Sequence, residues 1–184
     1  MSEFSISFHI RVDDRADVEA LLLGAKLGGL VFGPANGWLT FVPYGGANPF
    51  EYVDGDWFAE SLCNVTGCRV LFYCYGEDHG WTFSLLRPDQ PLVKFACWWD
   101  PSASVERDQF DPQALAPFVA LDRLEPLLRA FDAMAALHER PAHRFAELLG
   151  LPAYEWLSPH LVQDDTPHFL AHGAREIGTK PPGL

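Results

Sequence analysis

Hydrophobic and polar positions alternate at the start of the chain, where Phe4, Ile6, Phe8, Ile10 and Val12 are interleaved with Ser5, Ser7, His9 and Arg11. A period of two is that of a strand with one buried face and the other wet or lightly covered. The period then becomes helical: Val18, Leu21, Leu22 and Ala25 form an i, i+3, i+4, i+7 stripe behind the capping carboxylates Asp13 and Asp14. This predicts a helix over 15–26, stopped by Gly28-Gly29. Leu30 to Phe32 and Trp38 to Val42 follow as a hairpin, because the intervening Asn36-Gly37 pair supplies the positive φ of a tight turn.

Residues 43–56, rich in Gly, Pro, Asn and Asp, read as a loop, and Asp56 as the cap of a short helix over 57–63. Arg69 to Tyr75, Trp81 to Leu86 and Leu92 to Trp99 are three β-rich runs joined by short turns, which makes an antiparallel meander. The first run is apolar on both faces and therefore central. Beyond Asp100 the signals are helical: Asp111-Pro112 as cap and first residue, Asp122 capping a longer helix to about Leu137, and Pro141 to Leu149 ended by Gly150. A helical turn over 153–157 comes next, and 159–184 reads as an exposed tail. Together these elements predict one α+β domain: an antiparallel or mixed sheet of about six strands, covered by N-terminal and C-terminal helices.

Composition narrows the function classes. With 48% hydrophobic and 21% charged residues over 184 positions, the chain can bury a substantial core. Its net charge of −12 argues against binding nucleic acid or an anionic membrane surface, both of which need a basic stripe. The N-terminal stretch has no export signal, and no apolar run is long enough to span a membrane, so a cytoplasmic location is expected. Cys63, Cys68, Cys74 and Cys97 lack the paired spacing of a zinc site and sit among apolar neighbours, as buried thiols do. Nucleotide-binding glycine motifs and the nucleophile elbow are absent, and no cofactor is implied.

Three groups of residues carry chemistry. Asp78 and His79 share a tight turn with Glu77, and with His160 they would supply the acid–base set of a small hydrolase working between the meander and the C-terminal helices. Exposed turns collect such residues without catalysis. His168 and His172, four apart and downstream of Asp164 and Asp165, have the spacing of metal ligands on a helix, although Pro167 and Gly173 leave little room for one. Trp38, Tyr44 and Trp57, around a loop holding Glu51, Asp54 and Asp56, would form an aromatic centre with an acidic rim, the surface that suits a basic protein partner.

The stretch His143-Arg-Phe-Ala-Glu-Leu-Leu-Gly-Leu-Pro-Ala-Tyr-Glu-Trp-Leu-Ser158 resembles C-terminal segments of small uncharacterised bacterial proteins, including cytoplasmic immunity proteins of polymorphic and contact-dependent toxin systems. The resemblance implies a non-enzymatic protein that neutralises a toxin domain by covering its active site, and the acidic charge of this chain fits a basic toxin domain as partner. It carries over no catalytic residue. A small hydrolase and a self-assembling scaffold are the competing classes.

Overall fold

In the computed structural model, which describes residues 3–13, 17–45, 55–100, 102–131 and 140–180, the alternating N-terminal segment is strand β1 (Phe4–Arg11). Helix α1 (Val18–Gly24) leads into the hairpin of β2 (Gly29–Ala35) and β3 (Trp38–Pro43), whose turn residues Asn36 and Gly37 take φ of 52° and 78°. Helix α2 (Gly55–Thr66) precedes the meander of β4 (Val70–Gly76), β5 (Gly80–Leu86) and β6 (Val93–Trp98). A short strand, β7 (Ser104–Glu106), a 3-10 helix (Pro112–Phe118) and the helices α3 (Leu121–Ala130) and α4 (Pro141–Leu149) follow. The chain continues through α5 (Pro159–Asp164) and α6 (Thr166–Ala171) to a last short strand, β8 (Arg175–Ile177).

All eight strands belong to one antiparallel sheet in the order β7-β6-β5-β4-β1-β3-β2-β8. The α+β class is as the sequence predicts, whereas the strand count among the described residues is eight, not about six. The two extra strands are the three-residue borders β7 and β8, too short to show a period.

One face of the sheet packs Phe8, Ile10, Leu39, Phe41, Val70 and Phe72 against Val18 and Leu22 of α1 and Ala59, Leu62 and Cys63 of α2. The other packs Tyr73, Trp81, Phe83 and Phe95 against the 3-10 helix, α3 and α4, with Phe145 stacked on Phe83 at 4.4 Å. Leu30, Phe32, Val42 and Tyr44, further along that second face, are covered by Leu157, Val162 of α5 and Ala174. The result is three layers, with the sheet between helices.

Several sequence expectations change. Residues 159–180 are not a tail: α5 and α6 complete the second face, β8 borders the sheet beside β2, and Val162, Thr166 and Ile177 are buried. Asp165 caps α6 through the His168 N–H, and Pro167 sits in its first turn, so a helix forms despite its two brackets. Residues 153–157 form no helical turn, because Ala153 and Trp156 take φ of 47° and 53°. Asp122 stands in the first turn of α3 and Ala120 at its cap. The predicted extension of α3 to Leu137, the capping role of Asp14 and residues 181–184 lie outside the described residues.

Candidate functional site

Helix α2 docks on the sheet at Gly55, where a Cβ would overlap the ring of Phe72, so glycine permits the approach. The buried side of α2 is Gly55, Ala59, Leu62, Cys63 and Thr66, which turns Trp57 and Glu60 outward. Asp56, placed by sequence at the cap, instead lies within the first turn and reaches across to the sheet. Its Oδ2 accepts from Lys94 Nζ at 2.6 Å and its Oδ1 from the Ser84 hydroxyl. Ser84 and Lys94 are cross-strand partners on β5 and β6, so one carboxylate ties a helix terminus to two strands.

This ion pair stands between two grooves. One, of about 480 Å³, runs between α2 and the β5–β6 turn and is lined by Trp57, Glu60, Asn64, Arg87, Asp89 and Gln90 among others. The second, of about 410 Å³, is lined by Lys94, Glu106, Asp108 and Gln109. Five carboxylates (Asp56, Glu60, Asp89, Glu106 and Asp108) thus face two cations, Arg87 and Lys94. Trp57 is 65% exposed at the edge of the first groove, and its ring makes no ring–ring or cation–ring contact among the described residues.

The other aromatic anchors read from sequence are not available. Trp38 is 0% exposed, lying against Phe118 at 5.4 Å and beneath the Arg11 guanidinium at 5.2 Å. Tyr44 is 3% exposed and donates its hydroxyl to Glu176, with burial and that carboxylate raising its pKa. Both project from the strand face that the 3-10 helix and the elements after it cover. Glu51 and Asp54 lie outside the described residues. Of the six, Asp56 and Trp57 are brought together on one surface.

Two of the acid–base candidates are engaged in separate ion pairs. His79 pairs with Asp100 at 3.3 Å and His160 with Asp164 at 3.2 Å, each pair exposed, and among the described residues no hydrogen bond or ion pair joins the two histidines. Asp78 is exposed in the β4–β5 turn. His168 and His172 do share a face of α6, with ring centroids 4.2 Å apart, but no group of three metal-ligating side chains occurs among the described residues. No disulfide joins the cysteines; Cys63, Cys68 and Cys97 are buried, and burial pushes the half-buried Cys74 up to about 12. Such a thiol stays protonated at neutral pH.

Sequence reasoning missed a second cluster. Ser5, Ser7 and His9, read as the wet or lightly covered side of β1, are all 0% exposed, because β1 is central and residues 150–158 cross its polar face as a strap. The strap's contacts are the Pro152 carbonyl on the Thr40 hydroxyl, the Leu157 carbonyl on the Ile6 N–H, and Tyr154 edge-on to Tyr73 at 6.0 Å. Ser7 Oγ lies 3.0 Å from His9 Nε2, and burial lowers the His9 pKa from 6.5 to about 3. At the end of the seam Glu3, 2% exposed, is held by Arg140 at 2.9 Å and His143 at 3.1 Å. The signal for this seam was the unbroken Ser-x-Ser-x-His alternation; what covers it comes from about 145 positions away, beyond the reach of local periodicity.

With no access from solvent, the seam serves as internal wiring between strap and sheet. The acidic, tryptophan-bearing face is open to a ligand, as is a groove of about 510 Å³ on another side, lined by Arg11, Asn36, Asp122 and Arg123 among others. No helix among the described residues is long and apolar enough to cross a membrane. Comparison with protein-family models, with curated proteins and with solved structures returns no match.

Proposed function

We propose that this chain is a non-enzymatic protein-binding module whose contact face is centred on Trp57 and the two acidic grooves that meet at the Asp56–Lys94 pair. The observation that carries the proposal is the exposed indole of Trp57 beside a groove rimmed by carboxylates. A large side chain left 65% in water contributes little to the fold, while aromatic anchors inside a charged rim are the means by which interfaces gain affinity and rapid encounter.

The partner is a basic protein. A toxin domain neutralised by occlusion, as the resemblance of residues 143–158 implies, is a partner of that class. The test is affinity capture from the native cell at low and moderate salt, with wild type and Trp57→Ala as paired baits, followed by titration of the recovered protein. One stoichiometric basic protein, bound by wild type and lost with the variant, is the expected result. Equal recovery on both baits removes this face from the account.

A further inference from the structure

Trp57, Glu60 and Asn64 follow one another at i, i+3 and i+7, so an indole, a carboxylate and an amide line one wall of the larger groove. The opposite wall is the β5–β6 turn, where Asp89 takes φ of 57°, a left-handed conformation that Asp tolerates better than most residues. An electron-rich ring flanked by carboxylates favours a cation, and the two biological cations differ in how they use it. A guanidinium is planar, stacks on indole and presents paired N–H groups to a carboxylate; an ammonium is a compact, strongly hydrated point charge.

Resting on the protein-binding role of this face, we propose that the groove takes an arginine side chain of the partner, stacked on Trp57 and paired with Glu60 and Asp89. The neighbouring groove, with Glu106 and Asp108, accepts a further cation of the same segment. A second copy of this chain is a poor occupant, because each copy carries a net charge of −12.

The experiment is calorimetric titration of the full chain with three blocked peptides of alternating glycine and arginine, lysine or citrulline, at about 0.1 M salt, where exposed charges are partly screened. The arginine peptide should bind about tenfold more tightly than the lysine peptide, and the citrulline peptide not measurably. Trp57→Ala should weaken the arginine peptide about tenfold with the melting temperature unchanged, whereas Trp57→Phe retains most of the affinity. Equal binding of arginine and lysine peptides, indifferent to Trp57→Ala, overturns the proposal and leaves only diffuse charge. Self-association abolished by Trp57→Ala also overturns it, in favour of a second copy. If the captured partner needs Trp57 but the arginine peptide does not compete with it, the arginine assignment falls and the docking face stands. If the arginine peptide binds through Trp57 while the partner does not need Trp57, the docking face falls.

Discussion

Thr40 Oγ1 lies 2.9 Å from His9 Nδ1, and the same hydroxyl donates its only proton to the Pro152 carbonyl. Thr40 must therefore accept from the ring, which places the imidazole proton on Nδ1 and leaves Nε2 to accept from the Ser7 hydroxyl. A single direction of donation runs from Ser7 through His9 and Thr40 to the strap. Thr40→Val breaks it in two places, stranding a buried ring N–H and a carbonyl, and should cost about 1–3 kcal/mol by urea denaturation. Wild-type stability in Thr40→Val would mean the strap is not held there.

Acid should act on the same chain of bonds. The unfolded chain binds a proton at His9 below pH 6.5 and the folded chain only near pH 3, so between these values the unfolded state holds more protons and stability falls as pH falls. The limiting slope is about 1.4 kcal/mol per pH unit. Denaturation midpoints from pH 7 to about 4.5 should be steeper in wild type than in His9→Gln, which cannot take up that proton. Parallel profiles would refute a neutral, buried His9.

The Tyr73 hydroxyl is buried and has no partner among the described residues, unlike the neighbouring seam. Removing an unsatisfied group is cheap or favourable, so Tyr73→Phe should change stability by less than about 0.5 kcal/mol or raise it by up to about 1 kcal/mol. A loss above about 1 kcal/mol would reveal a hydrogen bond made there in solution.

Gly55→Ala tests the docking of α2. The added methyl overlaps Phe72, which is itself buried, so helix and sheet must separate at the point from which Asp56 reaches Ser84 and Lys94. Overpacking of this kind costs about 1–3 kcal/mol. Partner binding should weaken along with stability, whereas Trp57→Ala should alter binding alone, because that ring packs on little. Thermal melts of the two variants, read beside their affinities, separate the two effects.

Deleting residues 159–180 should yield an insoluble or unfolded chain. It would uncover Leu30, Phe32, Val42 and Tyr44 and remove the strand that borders β2. A soluble, cooperatively melting product would restore the view of this segment as a dispensable tail.

Much of the architecture was legible along the chain because local chemistry and packing agree there. Asn36-Gly37 dictates its turn, Gly150 takes the left-handed φ of 70° that ends α4, and the meander shows in three β-rich runs. The site was harder to read because exposure is decided by what packs from afar. Trp38 and Trp57 are both tryptophans near an acidic loop, yet strand parity points Trp38 beneath the 3-10 helix while the helical position of Trp57 turns it outward. Ser5, Ser7 and His9 had the right period and the wrong surroundings, since a wet strand face and a strap-covered one share the same alternation. Asp56 was recognised as a helix-start residue; that its carboxylate would leave the helix for Lys94 depended on a register between strands that no short window contains.

The borders of the sheet carry a consequence for the protein in a crowded cell. Between β7 and β8 lie six longer strands, several of them apolar on both faces, the kind of sequence that recruits further chains into intermolecular sheets. Each border is only three residues long; one ends in Glu106 and the other begins with Arg175-Glu176, so an incoming strand meets few free backbone groups and charged side chains at once. Two inconspicuous elements therefore keep the aggregation-prone interior of the sheet out of reach of its neighbours.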